Sequence, residues 1–127
     1  MKNIFLICLG GFLGTGFRYV LSGAVHQWVE TDFPVGTFVV NIVGAFILGA
    51  FMEYAIARSY WNDSLRLMVS IGILGGFTTF STFSYETMSL FRAGNTHWAL
   101  MNIFVTNLFC LGAVFLGIQL TAFLNKG

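Results

Sequence analysis

The stretch Gly75-Gly76-Phe77-Thr78-Thr79-Phe80-Ser81-Thr82-Phe83-Ser84 joins adjacent glycines to a run of hydroxyl side chains, with a phenylalanine at every third position. Glycine frees the backbone, and Ser/Thr hydroxyls compete for backbone hydrogen bonds, so a helix through this stretch is expected to break near residues 75–79. A broken helix has two chemically distinct ends. Free carbonyls around Gly75 to Thr78 would suit a small cation such as sodium, and the N–H groups opening the second half would suit an anion. The alternative is a glycine kink healed by neighbouring hydroxyls. Phe77, Phe80 and Phe83 form a slowly drifting stripe on one helix face. Such stripes usually pack a core, but here they interleave with Ser81, Thr82 and Ser84. Aromatic edges carry partial positive charge, so ring edges beside hydroxyl donors can solvate an anion without a cation that would trap it.

Other polar residues fall at helical spacing among apolar ones. Thr37 and Asn41 are four apart, and Asn102, Thr106 and Cys110 repeat that interval. They read either as helix-to-helix glue or as one polar track. Arg18 lies inside or near the end of an apolar run. It either snorkels to the interface or places positive potential at a pathway mouth. Glu86 would repel an anion unless protonated or held by hydroxyl donors, and Thr82, one turn earlier, is the expected partner.

The elements that must position these residues are membrane spans. The chain has 127 residues, 57% hydrophobic and 9% charged, with a mean hydropathy of +0.81. Soluble domains carry about 25% charged residues. A spanning helix needs roughly 20 apolar residues, and four runs meet that need: Ile4 to Val25, Gly36 to Ala57, Leu67 to Phe91, and Trp98 to Leu124. The fold class is therefore an all-α membrane protein, a single domain over residues 1–127 with the third helix broken mid-span. Lys2 and the apolar residues after it imitate a signal peptide, but the further runs and the lack of a small-residue cleavage site favour a retained span.

Turns are expected at His26 to Pro34, Arg58 to Ser64 and Ala93 to His97, the last short enough to make the third and fourth helices antiparallel neighbours. Trp28, Tyr60, Trp61 and Trp98 fall near span ends. Gly10 with Gly14, and Gly72 with Gly76, have the spacing that lets helices approach closely. Cys8 and Cys110 lack metal or redox spacing and read as buried packing residues. A net charge of +1 disfavours nucleic-acid binding. Lys2, Arg58, Arg66 and Lys126 fall on one side, against Arg92 and Arg18 on the other. That bias is small enough to leave both orientations open.

Taken together, Gly10-Gly11-x-x-Gly14-x-x-x-Arg18-Tyr19, Pro34-x-Gly36-Thr37-x-x-Val40-Asn41-x-x-Gly44, and Gly75-Gly76-x-Thr78-Thr79-Phe80-Ser81-Thr82-Phe83-Ser84-x-Glu86 closely resemble the Fluc (CrcB) family of fluoride channels of microbial membranes. The resemblance runs through all four spans in order. It implies a multi-pass cell-membrane protein that exports fluoride passively as a dual-topology, antiparallel homodimer with two pores. Phe80 and Phe83 match the family's pore phenylalanines and Asn41 its pore amide. Ser81, Thr82 and Ser84 belong to the same motif, Thr37, Glu86 and Thr106 fall on the polar track, and Arg18 matches the first-helix arginine. Gly75 and Thr78 match positions whose backbone carbonyls hold a structural sodium ion. The fourth span departs from the pattern, since Asn102, Thr106 and Cys110 stand where relatives often carry Tyr or Ser.

Three other classes compete. A proton-coupled multidrug exporter of this size needs a carboxylate in its first helix, and residues 1–29 contain no Asp or Glu. A non-transporting assembly factor would use the polar residues only for association. An enzyme is disfavoured because no nucleophile-base pair or metal-ligand cluster is evident. His26 and His97 read as interfacial.

Overall fold

Within lipid a backbone must satisfy its own polar groups, and long apolar runs do so as helices. The computed structural model describes residues 1–58 and 61–127, so Tyr60, expected at a span end, lies outside the described residues. Four spans result, each long and apolar enough to cross a membrane. The first is α1 (Lys2–Trp28) and the second is α2 (Val35–Ala57), which starts after Pro34. The third consists of α3 (Asp63–Leu67), a π-helical stretch (Met68–Leu74), α4 (Gly75–Phe77) and α5 (Phe80–Arg92). The fourth is α6 (Thr96–Asn125). The helices overrun the apolar runs at most ends because interfacial polar residues such as Asp63, Asn62 and Thr96 begin or cap them.

The break does not fall on the glycine pair. Gly75 and Gly76 are helical, and the chain becomes extended at Thr78 (φ −81°, ψ 158°) and Thr79 (φ −152°, ψ 114°). The glycines serve close approach instead. A Cβ on Gly76 would meet the Gly11 carbonyl at 2.9 Å, and one on Gly14 would overlap the Ile73 carbonyl. Thus the expected small-residue packing is present, with α1 lying backbone-to-backbone on the π-helical stretch and α4. The second close pair is α2 on α6, where Gly49 meets the Val114 carbonyl and Gly117 meets that of Phe46.

The π-helical stretch was not foreseen. The Gly75 N–H reaches the Ser70 carbonyl five residues back, and the Ser70 hydroxyl bonds back to the Arg66 carbonyl at 2.7 Å. Such widened turns interrupt regular helices and often accompany functional sites. The α5–α6 turn closes at Gly94, whose φ of +80° suits only glycine without strain. Gly94 N–H bonds to the Phe91 carbonyl and Asn95 N–H to that of Leu90, at 3.1 and 2.9 Å, a Schellman cap that folds α6 back beside α5.

At the other end, Asn62 caps α3 by accepting from the Ser64 N–H at 2.9 Å, and the Ser64 hydroxyl donates to Asn3 at 2.6 Å. The chain's beginning and the start of the third span therefore share one face of the bundle. Trp61 packs edge-on against Phe51 at 5.2 Å and Trp98 lies tilted against Phe33 at 5.9 Å, whereas Trp28 stands exposed. Large apolar side chains remain exposed along α1 and α6, as a lipid-facing surface requires. The total accessible surface of 8200 Å² exceeds the roughly 6,700 Å² of a compact folded monomer of this mass.

Candidate ion pathway

Two extended residues in mid-span leave backbone groups that lipid cannot satisfy, and Asn41 on α2 takes them over. Its Nδ2 donates to the Thr79 carbonyl at 3.0 Å, and its Oδ1 accepts the Thr79 N–H at 2.7 Å. This amide splint diverts the N–H that would have closed a helical bond to the Gly75 carbonyl. Asn41 retains one uncommitted N–H. The Thr78 N–H still bonds to the Leu74 carbonyl at 3.0 Å, as does the Thr78 hydroxyl.

The second half-helix opens at Thr79. Its hydroxyl oxygen accepts from the Thr82 N–H at 3.2 Å while its proton goes to Thr82 Oγ1 at 3.0 Å. This is an N-cap built from the hydroxyl run. The remaining first-turn N–H groups, of Phe80 and Ser81, keep the anion-favouring character of a helix end. The break also splits the phenylalanine stripe. Phe77 is buried on the first half, whereas Phe80 is 74% exposed and Phe83 only 7%, with ring centroids 5.4 Å apart and planes inclined at 41°. The three rings therefore do not share a face, because the extended residues 78 and 79 cancel the helical phase between Phe77 and Phe80.

Phe80 and Phe83 line a cavity of about 260 Å³ together with Asn41, Thr79, Thr106 and Cys110. No charged side chain lines it, so its donors are weak: the spare amide N–H groups of Asn41 and Asn107, ring edges and the Cys110 thiol. Thr79 also borders a second cavity, of about 530 Å³, which gathers Arg18, His26, Thr37, Thr82 and Glu86. Ser81 and Thr82 are exposed on the outer face of α5, and the Ser84 hydroxyl donates to the Phe80 carbonyl at 2.9 Å.

The Glu86 partner differs from the expected one. Thr37 on α2 donates to Glu86 Oε1 at 2.8 Å, while Thr82 is already bound to Thr79. The Thr82 hydroxyl accepts the Thr79 proton and makes no bond to Glu86, so the carboxylate finds its donor through the tertiary approach of α2 rather than one turn away. Glu86 Oε2 is buried without a hydrogen-bond partner among the described residues. Arg18 does not snorkel. Its guanidinium turns inward and donates to the Thr78 carbonyl at 3.4 Å, adding a donor where the helix has released that group.

The polar track of the fourth span divides. Thr106 and Cys110 reach the smaller cavity, but Asn102 does not line it and is 1% exposed in the interior. The cysteines depart from their expected burial. Cys8 is exposed on α1 and Cys110 is half-buried at the cavity wall. Asn107, at the same wall, drew no notice from sequence because it lies outside the i, i+4, i+8 series. Among the described residues, no three His, Cys, Asp or Glu side chains converge as metal ligands.

Comparison with known proteins places this architecture. Residues 5–118 match the family model described as CrcB-like protein, Camphor Resistance (CrcB). A protein of Geobacter metallireducens named fluoride-specific ion channel FluC is 44% identical over 119 residues, covering 94% of this chain and 96% of the relative. A FluC of Geotalea daltonii is 45% identical over 118 residues, covering 93% and 95%. The fluoride-specific ion channel FluC 1 of Methanosarcina acetivorans is 45% identical over 120 residues, covering 92% and 88%. The broken third span, its splint from α2 and the cavity at its phenylalanine pair are thus features of a chain that belongs to the CrcB family.

Proposed function

We propose that this chain is a membrane channel that passes fluoride down its gradient, as the names of its relatives suggest. The observation that carries the reading is the small cavity at the break, where Asn41, Phe80 and Phe83 converge with no cationic side chain. A strongly hydrated anion entering it exchanges water for many weak donors and leaves without escaping a salt bridge. Arg18 in the adjoining cavity supplies positive potential near the approach.

The conducting unit is a pair of copies in antiparallel orientation, with two pores. Phe80, Ser81, Thr82 and Tyr85 are exposed at span depth. The Thr82 and Tyr85 hydroxyl protons have no acceptor among the described residues and need a polar partner rather than lipid, and a second α5 supplies one. The excess accessible surface of the single chain supports the same assembly.

A structural sodium ion between the copies belongs to this reading. Gly75 has lost its helical N–H partner to Asn41, and the Thr78 carbonyl, which takes only the long 3.4 Å bond from Arg18, keeps a second lone pair, so two carbonyls per chain fit a hard cation that prefers oxygen ligands. The ion, when bound, would neutralise these carbonyl ends. Asn41, Thr79 and Arg18 perform the remaining work on the chain's own side by holding the break open.

The deciding experiment is fluoride efflux from liposomes containing only the purified protein. Rapid fluoride release with chloride largely retained is expected. Efflux no faster than from protein-free liposomes, with reconstitution verified, would overturn the reading.

A further inference from the structure

Asn102 shares with Val40 the distinction of being the largest fully buried side chain among the described residues, and a buried amide must be paired. Its Oδ1 accepts the Thr106 hydroxyl at 2.8 Å, and its Nδ2 donates to Thr87 Oγ1 at 2.9 Å. The Thr87 hydroxyl in turn donates to the Phe83 carbonyl at 2.8 Å. A hydroxyl has one proton. Thr87 has committed its proton to Phe83, so Asn102 must be the donor and its amide has one permitted orientation. The chain runs one way, from Thr106 through Asn102 and Thr87 to the backbone of Phe83. Among the described residues, Asn102 to Thr87 is the only side-chain hydrogen bond joining α5 to α6.

Two consequences meet at the smaller cavity. The Phe83 ring lines it, and the Phe83 carbonyl is the end of this chain. Thr106 lines it too, yet its proton points away toward Asn102, so Thr106 offers the cavity lone pairs only. We propose that Asn102 is a positioning residue for the pathway: through Thr87 it holds the Phe83 backbone and ring in register against α6, and it turns the Thr106 proton out of the cavity. This rests on the reading of that cavity as the anion path, so the test needs a measurement that does not depend on flux.

Protein carrying 4-fluorophenylalanine at position 83 provides one through its 19F resonance, alongside fluoride efflux in liposomes. Thr87→Val keeps the shape and removes the relay. It should shift or broaden the resonance and slow efflux roughly tenfold, the order expected for one buried hydrogen bond expressed at the transition state. Thr87→Ser retains the hydroxyl and should restore both. Asn102→Leu should shift the resonance as Thr87→Val does, and the double variant should shift it no further than either alone; because it also frees the Thr106 proton, Asn102→Leu should differ from Thr87→Val in efflux. An unchanged resonance in Thr87→Val, or Thr87→Ser behaving as Thr87→Val, would overturn the proposal. Should Asn102→Leu fail to fold, the Thr87 pair decides the matter. If the wild-type protein passes no fluoride, the channel reading falls while the resonance still decides whether Asn102 positions Phe83.

Discussion

At the scale of single residues, the site is a set of groups whose donors are mostly committed within the chain. Asn41 uses both ends of its amide on Thr79, and Thr79 uses its hydroxyl on Thr82. What remains at the cavity is the spare amide N–H groups of Asn41 and Asn107, the Cys110 thiol and the ring edges. Phe80→Ile and Phe83→Ile remove those edges while leaving apolar volume, and each should cut fluoride flux at least about tenfold with dimerisation intact. Wild-type flux in both would dismiss the ring-edge argument. Asn41→Asp keeps the acceptor for the Thr79 N–H but sets an oxygen against the Thr79 carbonyl. Losing that bond in the interior costs about 1–3 kcal/mol, so both the unfolding temperature in detergent and fluoride flux should fall. The pairings themselves were only half legible. Spacing marks Thr37, Asn41 and Glu86 as polar in an apolar setting, but Thr37 meets Glu86 across 49 residues, and no local rule can supply such a contact.

Elements carry a different lesson, since the glycine pair draws the eye as the breaker and yet remains helical. Gly76 is needed because α1 lies on it, and the chain leaves the helix two residues later, where Asn41 can receive the freed N–H. A break within a membrane goes where a partner awaits it. Gly14→Ala should therefore push α1 off the π-helical stretch and cost about 1–3 kcal/mol by overpacking. Gly112, with no atom within 4 Å of an added Cβ, should accept alanine within about 0.5 kcal/mol. Thermal unfolding of the two variants in one detergent compares them directly, and equal losses would contradict the packing account. The π-helical stretch was invisible to periodicity because its residues are as apolar and helix-compatible as their neighbours.

On the scale of the whole molecule, a single chain leaves its chemistry uncovered. Phe80 is 74% exposed, and Ser81, Thr82 and Tyr85 share the open side of α5. The proposed second copy in the opposite orientation would close that side, and the small charge bias between the two ends leaves both orientations open to insertion. A protease-cleavable tag after residue 127 should be cut in about half of the chains of sealed vesicles if orientation is mixed evenly. Complete cleavage or complete protection would oppose an antiparallel pair. Replacing sodium by an organic cation during purification should lower the midpoint of thermal dissociation. Indifference to sodium would remove the ion from the assembly.

Composition and run length alone determined that this chain crosses the membrane in four helices, because burying backbone in lipid admits few alternatives, and the glycines and hydroxyls of residues 75–84 pointed to an interruption in the third. The motif residues identified the family for the same reason: their hydroxyls, amide and rings are out of place in an ordinary span. Only the tertiary structure decided that the break falls at Thr78 and Thr79, that Arg18 turns inward, and that Asn102 is buried with its amide bonded across to Thr87 on α5. Each depends on which group from a distant helix arrives within hydrogen-bond reach, and that distance is fixed by how closely the glycine faces allow the helices to pack.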